Sequence, residues 1–201
     1  MKTDVITVSS KGSRMEKALS QVEKVAAYKG LGRKSALHLR LLTEEMMGMM
    51  RSITGETEGQ FWIEDEGGLY RLHLRVATRM DSDKRDQLLS ASSTGKNESA
   101  KGLMGRLRDF FDRGADEDIA SLTSPLLYSG AFEHSSTPAL DWEWSMVEYE
   151  QAVSAGVKRN EPQAREAWDE LEKSVVAHVA DEVKVAIRGR AVEMTVEKKI
   201  A

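Results

Sequence analysis

The spacing of hydrophobic residues predicts a short strand followed by two helices. The segment DVITVSS at residues 4–10 is typical of a strand. Over residues 14–28, hydrophobic residues recur at steps of three and four, as on one face of a helix; they are Met15, Leu19, Val22 and Val25. Glycines at 30 and 32 predict a turn. The second helix is expected over 34–52, and its hydrophobic set is Leu37, Leu41, Leu42, Met46, Met49 and Met50.

Alternation with a period of two predicts strands further along the chain. A hairpin is expected over residues 59–81, with one hydrophobic face made of Phe61, Ile63, Leu72, Leu74 and Val76. Trp142, Trp144 and Met146 alternate with polar residues and predict another strand. A closing hairpin is expected over 183–199, where Val183, Val185 and Ile187 precede a turn at Gly189, and Val192, Met194 and Val196 follow it.

Helices are expected at three more places: a short one over 81–91, one over 100–112, and a last one that begins at Asn160 and Pro162. The last helix carries a hydrophobic stripe of Ala164, Trp168, Leu171 and Val175. Residues 113–141 lack any period and contain two of the three prolines, so an insertion is expected over 113–160. The order of elements predicts one α+β domain over 1–201, a two-layer α/β sandwich whose mixed, mostly antiparallel sheet carries helices on one face.

Composition excludes several classes of function. The formal charge is −4 and no block of like charges stands out, so no nucleic-acid partner is expected. Cysteine is absent, which removes disulfides and thiolate chemistry, and the four histidines share no ligand spacing, so no metal site is expected. Hydrophobic runs are shorter than the roughly 20 residues of a membrane helix, and the N-terminus does not resemble a signal peptide. We therefore expect a cytoplasmic protein without a membrane partner.

Two stretches are candidates for chemistry. Glu44 and Glu45 lie in the hydrophobic second helix, where Glu45 is a candidate general base with a pKa tuned by burial. The alternative is a solvated helix edge formed by Thr43, Glu44 and Glu45. The loop and helix start near residue 100 form the second candidate, an anion site made of Gly95, Lys96, Asn97, Lys101, Gly102 and Gly105. Its spacing differs from that of a Walker loop, and the alternative is a surface loop that caps the helix.

Other residues have a plain structural interpretation beside a functional one. The methionines at 46, 47, 49 and 50 are expected in the core, with Met47 at its margin, although they could form a pliable partner surface. Trp142 and Trp144 favour packing over base stacking. The strip formed by Arg71, His73 and Arg75 could meet an acidic partner, but a solvated sheet face is the default.

The segment GLGRKSALHLRLLTEEMMGMMRSITGE resembles the second helix of the histidine-kinase-like ATPase fold, the GHKL superfamily, in particular its anti-sigma-factor serine kinase branch. ADEVKVAIRGRAVEMTVEKKI resembles the closing hairpin of the same branch, and KGLMGRLRDFF resembles its glycine-bearing lid. The resemblance implies that Glu45 is the base and that Asp81, or else Asp83, contacts the adenine. The chain departs from the pattern at the magnesium-binding asparagine, where Met49 stands, and lacks both glycines after the adenine-binding aspartate.

These departures predict a bacterial regulatory or binding protein with a degraded ATP site and little or no phosphotransfer. ATP or ADP is a possible ligand, and the role of magnesium is open. An active ATP-dependent anti-sigma-type serine kinase is the alternative, and a helper protein without any ligand is a third. The resemblance also implies a regulatory protein partner and a homodimer.

Overall fold

The computed structural model describes residues 1–9, 13–54, 58–77, 141–188 and 191–200. Within these ranges the strands are β1 (Ile6–Ser9), β2 (Glu58–Glu66), β3 (Leu69–Ala77), β4 (Asp141–Ser145), β5 (Glu182–Arg188) and β6 (Ala191–Lys199). The helices are α1 (Ser13–Tyr28), α2 (Arg33–Thr54), α3 (Met146–Lys158), α4 (Pro162–Lys173) and α5 (Val175–Val179). The strand and two helices at the start and both hairpins were predicted.

The strands form one six-stranded sheet in the order β1-β2-β3-β6-β5-β4. Every pairing between the described strands is antiparallel, whereas the sequence predicted a mixed sheet with mostly antiparallel pairs. The last strand, β6, lies at the centre between β3 and β5. The α+β class is therefore confirmed, and the sheet joins segments from both ends of the chain.

The hydrophobic core lies between the helices and one face of this sheet. The alternation predicted for the first hairpin is confirmed, because its five hydrophobic residues are all buried. Hydrophobic residues of β5 and β6 on the same face of the sheet are buried as well, and these are Val183, Val185, Val192, Met194 and Val196. The same cluster includes residues of all five helices. On the opposite face the strands carry polar and charged side chains, as expected for an antiparallel sheet with one face on the core.

Helix α2 buries more of its surface than its predicted hydrophobic set. Leu39 and Met47 are fully buried, and so is Thr43, whose hydroxyl donates to the carbonyl of Leu39 at 2.8 Å. The expectation that Met47 lies at the margin is therefore wrong, as is the expectation that Thr43 lies on a solvated edge. Leu37, predicted in the core, is 52% exposed. The buried face has shifted around the helix because α2 packs on α1 as well as on the sheet.

The strand predicted through Met146 ends at Ser145, and Met146 begins α3. The Ser145 hydroxyl accepts a hydrogen bond from the backbone N–H of Glu148, the arrangement of a helix N-cap. The carboxylate of Glu182 accepts from the N–H groups of Met146 and Val147 at 3.1 and 3.3 Å. These acceptors satisfy N–H groups that have no partner inside the helix, so α3 can begin directly after β4.

The end of the predicted insertion belongs to the sheet and its helices. Residues 141–158 form β4, which pairs with β5, and α3, which packs against β5 and α4. The earlier part of the insertion, 113–140, lies outside the described residues. So do the helices predicted over 81–91 and 100–112.

Helix α4 begins at Pro162 as predicted, but its N-cap position is Glu161 rather than Asn160. Asn160 instead has a positive φ of 61°, a conformation that asparagine tolerates better than most residues. Val175, predicted on the stripe of this helix, is 45% exposed and begins α5.

None of the helices within the described ranges has both the length and the hydrophobicity that crossing a membrane requires.

Candidate functional site

Glu45 lies on the side of α2 that faces away from the core. Leu42, Met46 and Met49 are buried on the inner side, whereas Glu45 and Gly48 are exposed. In the helical period Glu45 and Gly48, three positions apart, lie together on the exposed side of the edge of the buried stripe. The burial that would tune a general base is therefore absent at Glu45, and its position matches the alternative of a polar helix edge.

The two adjacent glutamates differ in their contacts. Glu44 is partly exposed and accepts from Nε of Arg40 at 3.2 Å. Arg40 also pairs with Glu23 of α1, so Glu44 belongs to a small network that joins the two helices. In the part of the chain that the structure describes, the carboxylate of Glu45 makes no ion pair. Among the described residues, Glu44 is thus the one of the two that is held by a cation.

The residues of α2 do not fit the magnesium ion that the family resemblance implies. Met49, at the position of the expected asparagine, is 2% exposed and belongs to the core cluster. Gly48, the position reached when the base is Glu44, has no side chain. Magnesium requires oxygen ligands in near-octahedral geometry. The described residues also contain no group of three or more histidines and carboxylates with metal-site geometry.

The other candidate site residues lie outside the described residues. These are Asp81 and its alternative Asp83, together with Gly95, Lys96, Asn97, Lys101, Gly102 and Gly105. Whether they approach Glu45 stays a prediction.

Two of the depressions formed by the described residues are shallow, and Glu45 lines neither. One, of about 470 Å³, lies between β1 and α1 and is lined partly by Ile6, Lys17 and Gln21. The other, of about 580 Å³, lies at the strand ends of the polar sheet face beside Gln60 and Arg75. Both are open to solvent and lack the enclosed hydrophobic walls of a typical ligand pocket.

The sequence reasoning missed an ion pair between the buried carboxylate of Asp65 and Lys29, whose side chain is partly exposed. Asp65 is 5% exposed, and its carboxylate lies 2.5 Å from Nζ of Lys29, which follows α1. The same carboxylate accepts from the N–H of Gly68 at 3.0 Å. The hydrogen bond from Lys29 is the main reason that the pKa of Asp65 is lowered. A sequence signal existed, because Asp65 continues the period-two series of Phe61 and Ile63 onto the buried face.

The predicted basic strip lies on the polar face of the sheet, and the chain supplies its acidic partners. Arg71 pairs with Glu66 at 2.7 Å and with Glu197 at 3.4 Å. Arg75 pairs with Glu193 at 3.3 Å. This agrees with the interpretation of a solvated sheet face, since cross-strand charge pairs are ordinary features of such faces.

His73 differs from its basic neighbours because its ring is packed. It stacks on Trp62 of β2 with ring centroids 4.8 Å apart and planes 5° from parallel. Its Nδ1 lies 3.2 Å from the Thr195 hydroxyl on β6. Burial is the main cause that lowers the pKa of His73, against the opposing charge of Glu64.

The sequence was compared with known proteins once the fold was established. The chain matches no family model, and no curated protein matches it. The resemblance to the histidine-kinase-like ATPases therefore stays a proposal, which rests on the order of the elements and on the three segments that resemble the family.

Proposed function

We propose that this chain is a regulatory or binding protein with the layout of the histidine-kinase-like ATPases, that it binds ATP or ADP, and that it performs little or no phosphotransfer. The observation that carries the proposal is the position of its acid-bearing helix. Helix α2 contacts β3 and β6, the two central strands, and turns Glu45 outward. The order of the elements supports the same layout. A strand, two helices and a hairpin come first, and the last strand of the closing hairpin lies at the centre of the sheet.

The chemistry of α2 argues for binding rather than transfer. Phosphoryl transfer depends on metal ions that neutralise the charge developing on the phosphate oxygens. Gly48 and Met49 supply no side-chain oxygen at the position that the resemblance assigns to the metal. A nucleotide held without that ion would act as a structural or regulatory ligand.

The alternative is an active serine kinase, and one observation favours it. Glu45 is exposed and makes no ion pair among the described residues, whereas Glu44 pairs with Arg40. A carboxylate without a competing cation can accept a proton from a substrate hydroxyl.

Thermal unfolding with nucleotides tests the binding proposal. The protein is heated alone, with ADP, with ATP, and with ATP plus magnesium, with a chelator in the metal-free samples. Ligand at about 100 times Kd adds about 2.7 kcal/mol to the free energy of unfolding, or about 5 to 10 °C in a domain of this size. We expect a similar increase with and without magnesium. Unchanged unfolding with both nucleotides would overturn the proposal and favour a helper protein without a ligand.

Paired glutamate variants separate the two functions. Under the proposal, Glu45→Gln and Glu44→Gln both retain the nucleotide-dependent increase in Tm, and neither variant nor the parent protein consumes ATP. Under the kinase alternative, magnesium-dependent turnover is present, falls by about 10²- to 10⁴-fold in Glu45→Gln, and survives in Glu44→Gln. The second variant controls for charge removal, because it alters the neighbouring residue of the same helix.

A further inference from the structure

The outer side of α2 combines exposed leucines with charged residues. Leu37 is 52% exposed, and Leu41, one helical turn further on, is partly exposed. Lys34 and Glu45 are exposed on the same side of the helix. Since an α-helix advances about 100° per residue, these four positions fall within about 80° of one another around the helix axis. We call Lys34, Leu37, Leu41 and Glu45 the α2 outer face.

The two leucines make the centre of the α2 outer face hydrophobic. A single exposed leucine is an ordinary feature of a protein surface. Leu37 and Leu41 are four positions apart, so their side chains are neighbours on the helix surface and form one continuous hydrophobic strip. Lys34 precedes this strip along the helix and Glu45 follows it, so that the strip lies between two opposite charges.

The charges of the α2 outer face are ordered against the dipole of their own helix. α2 begins at Arg33, and its first turn contains no acidic residue. Cations at that end meet the partial positive charge of the helix N-terminus, which is unfavourable. Arg33, Lys34 and Glu45 form no ion pair with any residue that the structure describes. A helix lying antiparallel to α2 with the same order of charges would supply a partner to each of them.

We propose that two copies of this chain form a dimer through their α2 outer faces, which pack antiparallel about a two-fold axis midway between Leu37 and Leu41. This axis places Leu37 opposite Leu41 of the second copy, and Leu41 opposite its Leu37. Lys34 then lies within about 1.5 Å, measured along the helix axis, of the level of Glu45 of the second copy. A two-fold axis perpendicular to both helices keeps this lysine and this glutamate on the same flank, so the ion pair forms twice.

The α2 outer face selects a second copy in this orientation because it is its own complement. Its hydrophobic centre and charged ends match the usual anatomy of a protein interface, with a hydrophobic core and a polar rim. In a parallel arrangement Lys34 would lie beside Lys34 of the second copy, and the two glutamates would also meet. Juxtaposed like charges disfavour that arrangement, so the order of charges specifies the antiparallel pair.

The dimer does not depend on the proposed nucleotide site. It covers Glu45, so a nucleotide bound against this residue would compete with the second copy. The measurements below are therefore made without nucleotide, and the failure of either proposal leaves the other standing.

Sedimentation equilibrium of the whole protein, over a wide range of concentrations, tests for the dimer. We expect the average mass to rise with concentration from the chain mass of 22.4 kDa towards twice that value. A mass that stays at one chain at every concentration would overturn the proposal, whatever else occupies this face.

A charged residue at the centre of the α2 outer face tests where the copies meet. Leu37→Glu should raise the dissociation constant of the dimer by at least about 30-fold, because the new carboxylate would be buried against Leu41 of the second copy. Val175→Glu is the matched control, since Val175 is exposed to a similar extent, at 45%, but lies on α5. It should leave the dissociation constant unchanged. Equal weakening by the two substitutions, with both variants folded by circular dichroism, would contradict the proposed face.

Reversed charges test the antiparallel register, and they remain informative if Leu37→Glu does not fold. In Glu45→Lys the new lysine faces Lys34 of the second copy, and the dissociation constant should rise by about 10-fold or more. Lys34→Glu should weaken the dimer in the same way. The double variant restores opposite charges, and its dissociation constant should return to within about 3-fold of the parent value. A double variant that dimerises as weakly as the single variants would show that Lys34 and Glu45 do not meet, and would overturn this arrangement.

Discussion

At the scale of single residues, Asp65 combines a structural role with a defined dependence on pH. It lies on the core side of β2, and Lys29 and the N–H of Gly68 are its partners. Because these contacts lower the pKa of Asp65, the folded state holds the carboxylate ionised more strongly than the unfolded state does. Its contribution to stability is therefore complete above the unfolded pKa of about 3.9 and is lost as pH falls through the lowered folded value.

The first prediction concerns Lys29→Met, which removes the cation and leaves Asp65 on the buried face. We expect a lower urea midpoint at pH 7, because an ionised carboxylate is then buried without its partner. The difference from the parent protein should shrink as the pH falls through the lowered folded pKa of Asp65, where the parent also loses the contribution of the ion pair. Urea unfolding at a series of pH values measures both effects.

Lys24→Met is the matched control for this prediction. Lys24 is an exposed lysine of α1 without an ion pair among the described residues. Its replacement should leave the urea midpoint nearly unchanged at every pH. Equal losses in the two variants would show that the contact with Asp65 contributes nothing specific.

Residue-scale features were the hardest to derive from sequence. Period-two spacing placed Phe61 and Ile63 correctly and also pointed to Asp65. Spacing cannot supply its partner, the lysine that follows α1, because that lysine is 36 positions away along the chain. Glu45 was recognised as a candidate from its neighbours, yet its exposure depended on which face of α2 the sheet and α1 would cover. The six candidate residues of the 95–105 stretch lie outside the described residues, so their role stays a prediction.

At the scale of elements, sequence predicted strands and long helices well where one period continued without interruption. It failed at Met146, because the alternation of Trp144 and Met146 continues across a boundary set by tertiary contacts. The Ser145 cap and the carboxylate of Glu182 start α3 there, and Glu182 comes from a strand that follows much later in the chain. A local pattern could not contain that information.

The second prediction compares two helical glycines. At Gly156 of α3, an added Cβ would lie 2.7 Å from the Cβ of Ala164 on α4, so the helices would have to move apart. Gly156→Ala should therefore lower the free energy of unfolding by about 1–3 kcal/mol, the range for overpacking. At Gly48 of α2, an added Cβ meets nothing within 4 Å among the residues that the structure describes. Gly48→Ala should raise it by about 0.5–1 kcal/mol, because alanine is the better helix former.

Chemical denaturation of the two variants measures both changes. The comparison is matched, since each substitution adds one methyl group to a helix and differs only in what that methyl meets. Stabilisation by Gly156→Ala would contradict the close approach of α3 and α4.

At the scale of the whole molecule, the position of β6 makes folding depend on contacts between distant segments. β6 pairs on one side with β3 and on the other with β5. Without it, the sheet would separate into β1-β2-β3 and β5-β4. Since the pairing of β3 with β6 joins residues 69–77 to residues 191–199, it is a long-range contact that typically slows folding.

The third prediction follows from that central position. Met194 of β6 is 3% exposed and lies opposite Leu74 of β3 and Val185 of β5. Met194→Ala should lower the free energy of unfolding by about 2–5 kcal/mol, because it removes buried apolar contacts from both halves of the sheet at once. Single-tryptophan variants that retain Trp62 on β2 or Trp144 on β4 report on the two halves separately. In the parent and in Met194→Ala, we expect both reporters to unfold at the same urea concentration, since β6 makes the halves one cooperative unit. Two separate transitions, with only one moved by Met194→Ala, would mean that the halves fold independently and that β6 joins them without coupling them.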